Sequence, residues 1–290
     1  MIVAPKSKLL KQRQGDAPTI VQILPAMVRG GVERGTVEMA DAIQKHGGRA
    51  IVISRGGPMV RHLDRLGATH YQLDVHAKNP FLWPQVRSRL KAILSRENAD
   101  LVHVRSRAPA WIALPAAAAL GIATVSTVHG RFTTLSALKR IYNRKLLKTD
   151  HVIAISNYVR DLIISQHVEV ENRLTVVHRG VDIDLFNPNN VNQTRIVNLV
   201  EGLAIPEDEP VIMLPARATK WKGHRILLQA LAKIKDRPFI CLMIGAGDGK
   251  PAFVSELVRY GQQLGLEGRF RLTPLVDDMP AALMVADVVA

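Results

Sequence analysis

Two cations five residues apart, Arg217 and Lys222, sit in the segment VIMLPARATKWKGHRILLQALA at 211–232. An apolar run (211–214) precedes them, and Ile226, Leu227, Ala230 and Leu231 follow at helical spacing. The pattern reads strand, basic loop, helix. It places cationic side chains at the carboxyl end of a strand beside a helix N-terminus, where free N–H groups and the helix dipole hold anions. The chemistry implied is the clamping of a diphosphate; the alternative is a solvated basic loop.

Three further constellations could carry chemistry. Arg29-Gly30-Gly31-Val32-Glu33-Arg34 puts two glycines between a strand and a helix, where backbone N–H groups can approach a phosphate or sugar closely. It is not the dinucleotide fingerprint GxGxxG, and a tight turn would use the same residues. His129 ends the run VSTVHG, at the carboxyl end of a strand, where it could bond a substrate hydroxyl or move a proton. The stretch 135–148 sets Leu135, Leu138, Ile141, Tyr142 and Leu146 among Lys139, Arg140, Arg144, Lys145 and Lys148. That is a basic amphipathic helix suited to an anionic membrane surface, with no acidic residue before Asp150. A second glycine turn, MIGAGDGK at 243–250, lacks the GK[ST] ending of a triphosphate loop. No metal-ligand spacing and no GxSxG elbow occurs, so no metal is expected.

The elements that must position these residues alternate. Strands are expected at 20–24, 50–54, 100–104, 122–128, 151–155 and 174–177, with helices at 32–45, 59–66 and 156–165. Near-continuous apolar strands in βα units mean a parallel, doubly wound sheet. Residues 109–128 carry no charge over twenty positions, but Pro115, Gly121 and the alanines read better as a helix (109–120) and a buried strand than as a membrane span. Rhythm breaks after Val181, and a second series opens at 211, with strands at 239–244 and 269–272. The expected organisation is a polar leader (1–17), a first domain (18–187), a linker (188–210) holding a short helix at 194–203, and a second domain (211–290). The last ends within ADVVA, which reads as the opening of another strand, so this domain is expected to be incomplete.

Composition narrows the partners. The formal charge is +14, and residues 1–190 hold 27 Lys/Arg against 14 Asp/Glu, whereas 191–290 hold 12 against 11. The excess lies in the first domain and suits an anionic leaflet or an acidic lipid. Nucleic acid is disfavoured: aromatic residues are only 4%, and no recognition motif is present. The lone Cys241, inside FICLMIG, implies a buried thiol and a reduced, cytosolic compartment.

Seven segments in order resemble the family 4 glycosyltransferases of the GT-B class: RGGVER, STVHG, AISNYVRDLI, VVHRGVDIDLFNP, ARATKWKGH, IGAGDG and MPAALMVADVVA. The resemblance implies two Rossmann-like, doubly wound domains facing a cleft. The first takes the acceptor and the second a nucleotide-sugar donor, such as a UDP- or GDP-sugar. It implies transfer with retention of configuration and no metal cofactor. Under it, Arg217 and Lys222 clamp the donor diphosphate, Gly30 and Gly31 close over diphosphate and sugar, His129 contacts the donor sugar, and Gly180 is the interdomain turn. The sequence departs from the pattern in places: Arg179 stands where Asn is usual, Ala216 where Gly is usual, and Thr273-Pro274 replaces a glycine-containing segment. The family's Glu-(seven residues)-Glu motif falls beyond Ala290.

The expected function is a cytosolic glycosyltransferase, peripheral to the inner membrane face, acting on a glycolipid or glycan acceptor such as a lipopolysaccharide core. Lys139, Arg140, Arg144 and Lys145 are the expected membrane or acceptor contact. The alternatives are a GT-B sugar-nucleotide epimerase using the same donor site, or a non-catalytic remnant that binds membranes or acidic partners.

Overall fold

Seven parallel strands build the first half of the chain. The structure is a computed structural model that describes residues 17–77, 79–130 and 136–290. The expected leader lies outside them except for Ala17. The elements run β1 (Thr19–Ile23), α1 (Gly31–Lys45), β2 (Arg49–Ser54), α2 (Val60–Leu66), β3 (Thr69–Gln72), α3 (Trp83–Arg96), β4 (Leu101–Val104), α4 (Arg107–Leu120), β5 (Ala123–Val128), α5 (Ala137–Arg144), β6 (His151–Ala154), α6 (Asn157–Ile164) and β7 (Leu174–Val176). The strand order is β3-β2-β1-β4-β5-β6-β7. The chain therefore winds outward from β1 to one edge, returns, and winds outward again from β4. The switch point lies between β1 and β4, where such sheets bind ligands beyond the strand carboxyl ends.

Both faces are covered, as right-handed βαβ crossovers require. On one face α1 and α2 bury Ala40, Ile43 and Leu63 against Leu24, Ala50 and Val52. On the other, α3, α4 and α6 pack over Val21, Ile23, Ile51, Ile53, Val102 and Val152. The alternation along β1 explains the split, because successive side chains point to opposite faces. The uncharged stretch resolves into α4 and β5: Gly121, left-handed at φ 68, caps α4, and Ile122 N–H bonds back to Ala117. Among the described residues, no helix is long and apolar enough to cross a membrane. Helix α3 and strand β3 were not anticipated. Val86, Leu90 and Leu94 at four-residue spacing are the buried stripe of α3, whereas THYQ is a short edge strand with no apolar run.

The second half forms its own unit, with the division between Arg179 and Gly180. Its elements are α7 (Gln193–Gly202), β8 (Val211–Met213), α8 (His224–Ala232), β9 (Ile240–Ile244), α9 (Pro251–Gln263), β10 (Phe270–Thr273), α10 (Met279–Val285) and β11 (Val288–Val289), in the parallel order β10-β9-β8-β11. The switch point is between β8 and β11. Helices α8 and α9 cover one face with Leu228, Leu231, Phe253 and Leu257. The other face, with Val211, Met213, Leu242 and Ile244, is packed by Ala282 of α10 and by Leu199 and Val200 of α7. Burial of Cys241 in β9 pushes its thiol up to about 12, so it stays protonated.

The segment expected as a linker, 188–210, is instead part of this second unit. The short helix expected at 194–203 is α7, and Asn192 caps it by accepting from Arg195 N–H at 3.0 Å. Arg195 then forks onto both oxygens of Asp278 at 2.7 Å, and Asp278 caps α10 by accepting from Ala281 N–H. The Arg195 guanidinium holds the Asp278 carboxyl below the usual carboxylate range.

Gly261 in α9 packs against the ring of Phe270, and a Cβ there would fall on the ring carbons. Gly261→Ala should therefore destabilise the second unit by about 1–3 kcal/mol in urea unfolding. Phe270→Leu should cost less in the Gly261→Ala background than alone, because the smaller side chain relieves the overlap. Additive losses would mean that the overlap is not the cause.

Candidate active site

At the switch point of the first unit, the carboxyl ends of β1 and β4 carry buried polar side chains. Gln22 of β1 donates to Thr36 O in α1 at 3.0 Å and accepts from Arg105 Nη1 at 3.0 Å. Arg105, one residue past β4, is only 5% exposed, and its Nε finds no partner. Burial and the charge of Arg179 lower its pKa to about 10; Glu38 and Glu33 oppose the shift.

The two glycines of the RGGVER loop and Gly35 explain how these cations sit. Gly30 is the N-cap of α1 in extended conformation, and no side chain caps the helix. A Cβ on Gly31 would stand 3.0 Å from Arg179 Nη1, and one on Gly35 would stand 2.6 Å from Arg179 Nη2 and 3.1 Å from Arg105 Nη2. Gly31 and Gly35 are one turn apart on one helix face. Their missing side chains let two guanidinium groups lie against the first turns of α1. Glu38 accepts from Arg34 at 3.1 Å and stands 3.7 Å from Arg179.

His129 follows β5. Both of its ring nitrogens are buried and find no partner among the described residues. Burial first, then the charges of Arg105 and Arg179, lower its pKa to about 3. His103 of β4 exchanges a 2.7 Å hydrogen bond with Thr127 Oγ1 and is lowered to about 3 as well, by burial, Arg105 and His129. A neutral imidazole at His129 suits hydrogen bonding to a hydroxyl and not general acid catalysis at neutral pH.

In the second unit Arg217 and Lys222 are exposed on the loop between β8 and α8, at that unit's switch point. Gly223, left-handed at φ 83, turns the chain into α8. His224, buried at the helix start, ties the loop down through Nε2 to Ala216 O at 3.0 Å. Lys222 Nζ lies 4.5 Å from the ring centroid of Trp221. The second glycine turn is a packing feature. Thr273 O accepts from the N–H groups of Gly245 and Gly247, both at 2.9 Å. A Cβ on Gly249 would stand 2.7 Å from Ala218 Cβ, so the turn lies directly on the cationic loop.

The basic stretch is shorter than expected and differently used. Leu135 lies outside the described residues; α5 runs Ala137–Arg144, capped by Ser136, and continues as a 3-10 turn, Lys145–Lys148. Leu146 and Leu147 enter the core, but Leu138 and Ile141 remain 80% and 60% exposed. Arg144 pairs with Glu169 at 2.7 Å, which corrects the expectation of cations without acidic partners; Glu169 comes from a distant segment. Lys145 lies over the Trp111 ring at 5.4 Å. Lys139 and Arg140 are exposed. Gly30, Gly31 and His129 thus gather around Arg105 and Arg179, which sequence reasoning did not single out as site residues. The available signal was the Gly31–Gly35 spacing, together with Arg105 after a strand.

The two histidines set a pH dependence. Unfolded, each titrates near 6.5; folded, near 3. Between those values the unfolded chain binds more protons, so their contribution is present above pH 6.5 and lost as pH falls through the window. His103→Gln, able to keep a bond to Thr127, should flatten the fall of unfolding free energy between pH 6 and 4 by up to about 1.4 kcal/mol per pH unit. A variant with the wild-type slope would show that His103 is already charged in the fold.

Comparison with known proteins places this geometry. The model of Glycosyltransferase Family 4 matches residues 29–185. D-inositol 3-phosphate glycosyltransferase of Xylanimonas cellulosilytica is 34% identical over 122 residues, 41% of this chain and 29% of that protein. The Mycobacterium bovis protein of the same name is 29% identical over 147 residues, 49% of this chain and 29% of its own length. The matched stretch thus spans less than a third of these curated relatives. Among solved structures, a glycosyltransferase from Rickettsia africae superposes with a TM-score of 0.81 at 34% identity, over 94% of this chain and 72% of that one. HepE of Anabaena, solved in complex with UDP-glucose, gives 0.79 at 20% identity over 93% and 72%, a likeness of fold. With more than half its length matched by that family model, and with the parallel-sheet architecture of GT-B proteins, the chain belongs to glycosyltransferase family 4.

Proposed function

We propose that this chain is the catalytic part of a retaining glycosyltransferase, moving a sugar from a nucleotide-sugar donor to a glycolipid or glycan acceptor in cell-envelope synthesis, such as lipopolysaccharide core assembly. The observation that carries the reading is the exposed pair Arg217 and Lys222 at the switch point of the second unit, beside the N-terminus of α8, in a chain of family 4. In the reaction the acceptor oxygen bonds to the anomeric carbon as the carbon–oxygen bond to the diphosphate breaks, and the hydroxyl proton passes to the departing phosphate oxygen. Arg217 and Lys222 stabilise the charge that develops on the diphosphate. Neutral His129 bonds a hydroxyl of the sugar, and Gly30 and Gly31 present the first turn of α1. Membership in a transferase family favours this reading over an epimerase.

The enzyme works in the cytoplasm against the inner membrane face. Leu138 and Ile141 are exposed beside Lys139 and Arg140 on α5. Tyr142 stacks on Trp111, Trp83 tilts against Trp111, and Phe81, 91% exposed, stands in the turn before α3. An apolar surface rimmed by cations matches an anionic bilayer.

Arg217→Ala and Lys222→Ala should each weaken UDP or GDP binding in thermal-shift titrations and lower sugar transfer by about 10²-fold. Near-normal turnover in both variants would sink the donor-site assignment. Replacing Lys139 and Arg140 by Gln should weaken binding to anionic vesicles by about 1 kcal/mol per charge at low salt. Arg144→Gln should matter less, since that charge is already paired. Vesicle binding unchanged in the Lys139/Arg140 variant would move the membrane contact elsewhere.

A further inference from the structure

The turn that presents Lys222 also presents Trp221. Lys222 N–H donates to Thr219 O at 3.0 Å, which closes a turn with Trp221 third in it, and Gly223 then leads into α8. The Lys222 ammonium lies over the indole, 4.5 Å from the ring centroid, within the range of a cation–π attraction. The ring itself is 78% exposed and belongs to neither hydrophobic cluster of the second unit.

Other cations that lie over rings are fixed by polar partners as well. Arg225, over Tyr260, pairs with Glu256; Arg96, over Tyr71, pairs with Glu97; Arg269, over Phe239, donates to Arg237 O. Among the described residues no carboxylate pairs with Lys222. That difference matters for an anion site. The helix N-terminus next to Lys222 repels a cation, and a four-carbon stem has many rotamers to wander through. A carboxylate would fix the ammonium but would compete with a phosphate for the same charge. An indole face fixes it through the ring quadrupole and brings no counter-charge.

We infer that Trp221 is a positioning residue of the cationic loop: its ring holds the Lys222 ammonium in one place, ordered but not neutralised, for the diphosphate of a nucleotide donor. The ring acts through Lys222 and does not itself touch the nucleotide. The assignment rests on the donor-site reading of Arg217 and Lys222 above.

The test is a double-mutant cycle on the 290-residue protein, read as UDP and GDP affinity by calorimetry at fixed ionic strength. Trp221→Leu should weaken the better-bound nucleotide about two- to fivefold, the scale of an exposed cation–π contact. Trp221→Phe, which keeps a ring, should recover part of that loss. In the Lys222→Gln background, Trp221→Leu should have no further effect. Because the ring is exposed, the melting temperature should stay at the wild-type value in each Trp221 variant. Without nucleotide, the ε-methylene protons of Lys222 should resonate upfield under the indole and return to ordinary lysine values in Trp221→Leu. An equal loss of affinity in both backgrounds would overturn the inference, because the ring would then contact the nucleotide or shape the loop by itself. So would an affinity that Lys222→Gln lowers and Trp221→Leu leaves alone, or methylene protons at ordinary values in the wild type. A wild type that binds neither nucleotide, or a Lys222→Gln variant that binds as the wild type does, would count against the donor-site reading. The methylene shift would then still decide whether the ring holds Lys222.

Discussion

A buried guanidinium organises the first unit. Removing a charge from water is costly unless it is bonded; the Arg105 guanidinium donates to Gln22 Oε1 at the end of β4, and its backbone N–H donates to Ile23 O. Gln22 is itself fully buried and is fixed by Thr36 of α1. This relay crosses from β4 through β1 to α1, the elements flanking the switch point. Gly31 and Gly35 leave room for the cations, because a Cβ there would press on the guanidinium ends of Arg179 and Arg105. Burial first, and then the charge of Arg105, keeps His103 and His129 neutral. Arg105 thus ties the strands flanking the switch point to α1 and adds to the burial that keeps both histidines neutral.

The second unit solves a simpler problem with similar topology. Its cations are exposed, so no buried relay is needed, and the task is to hold a loop still. Packing does that: His224 bonds back to Ala216, and Gly249 lies against Ala218. The backbone carbonyl of Thr273 accepts from both Gly245 and Gly247 and so seats the second glycine turn. The first unit preorganises charge by burial, the second by backbone docking.

Charge asymmetry between the halves has a structural counterpart. The excess cations of the first half are not evenly displayed: Arg105 is buried, Arg144 is paired, and Lys145 is stacked on Trp111. Lys139 and Arg140 remain exposed, next to Leu138 and Ile141, which the fold leaves uncovered. An unpaired apolar strip beside cations is the feature that distinguishes α5 from an ordinary surface helix.

The sequence by itself determined the alternation of elements, the parallel sheets, the two glycine turns and the loop bearing Arg217 and Lys222. Those features are local: apolar period, glycine placement and capping residues such as Ser156, whose hydroxyl accepts from Val159 N–H at the start of α6, are written in neighbouring positions. It could not place the unit boundary, because α7 is joined to α10 by Arg195 and Asp278, 83 residues apart. Nor could it show that Leu146 and Leu147 turn inward while Leu138 and Ile141 stay out, since the period of α5 is compatible with either. Only tertiary structure brought Arg179 to Gly31 and Gly35, across nearly the whole first unit, and Arg105 to Gln22. Charge is a property of a residue, but whether it is buried, paired or opposed by a helix end depends on chain segments that meet only when the sheet closes around its switch point.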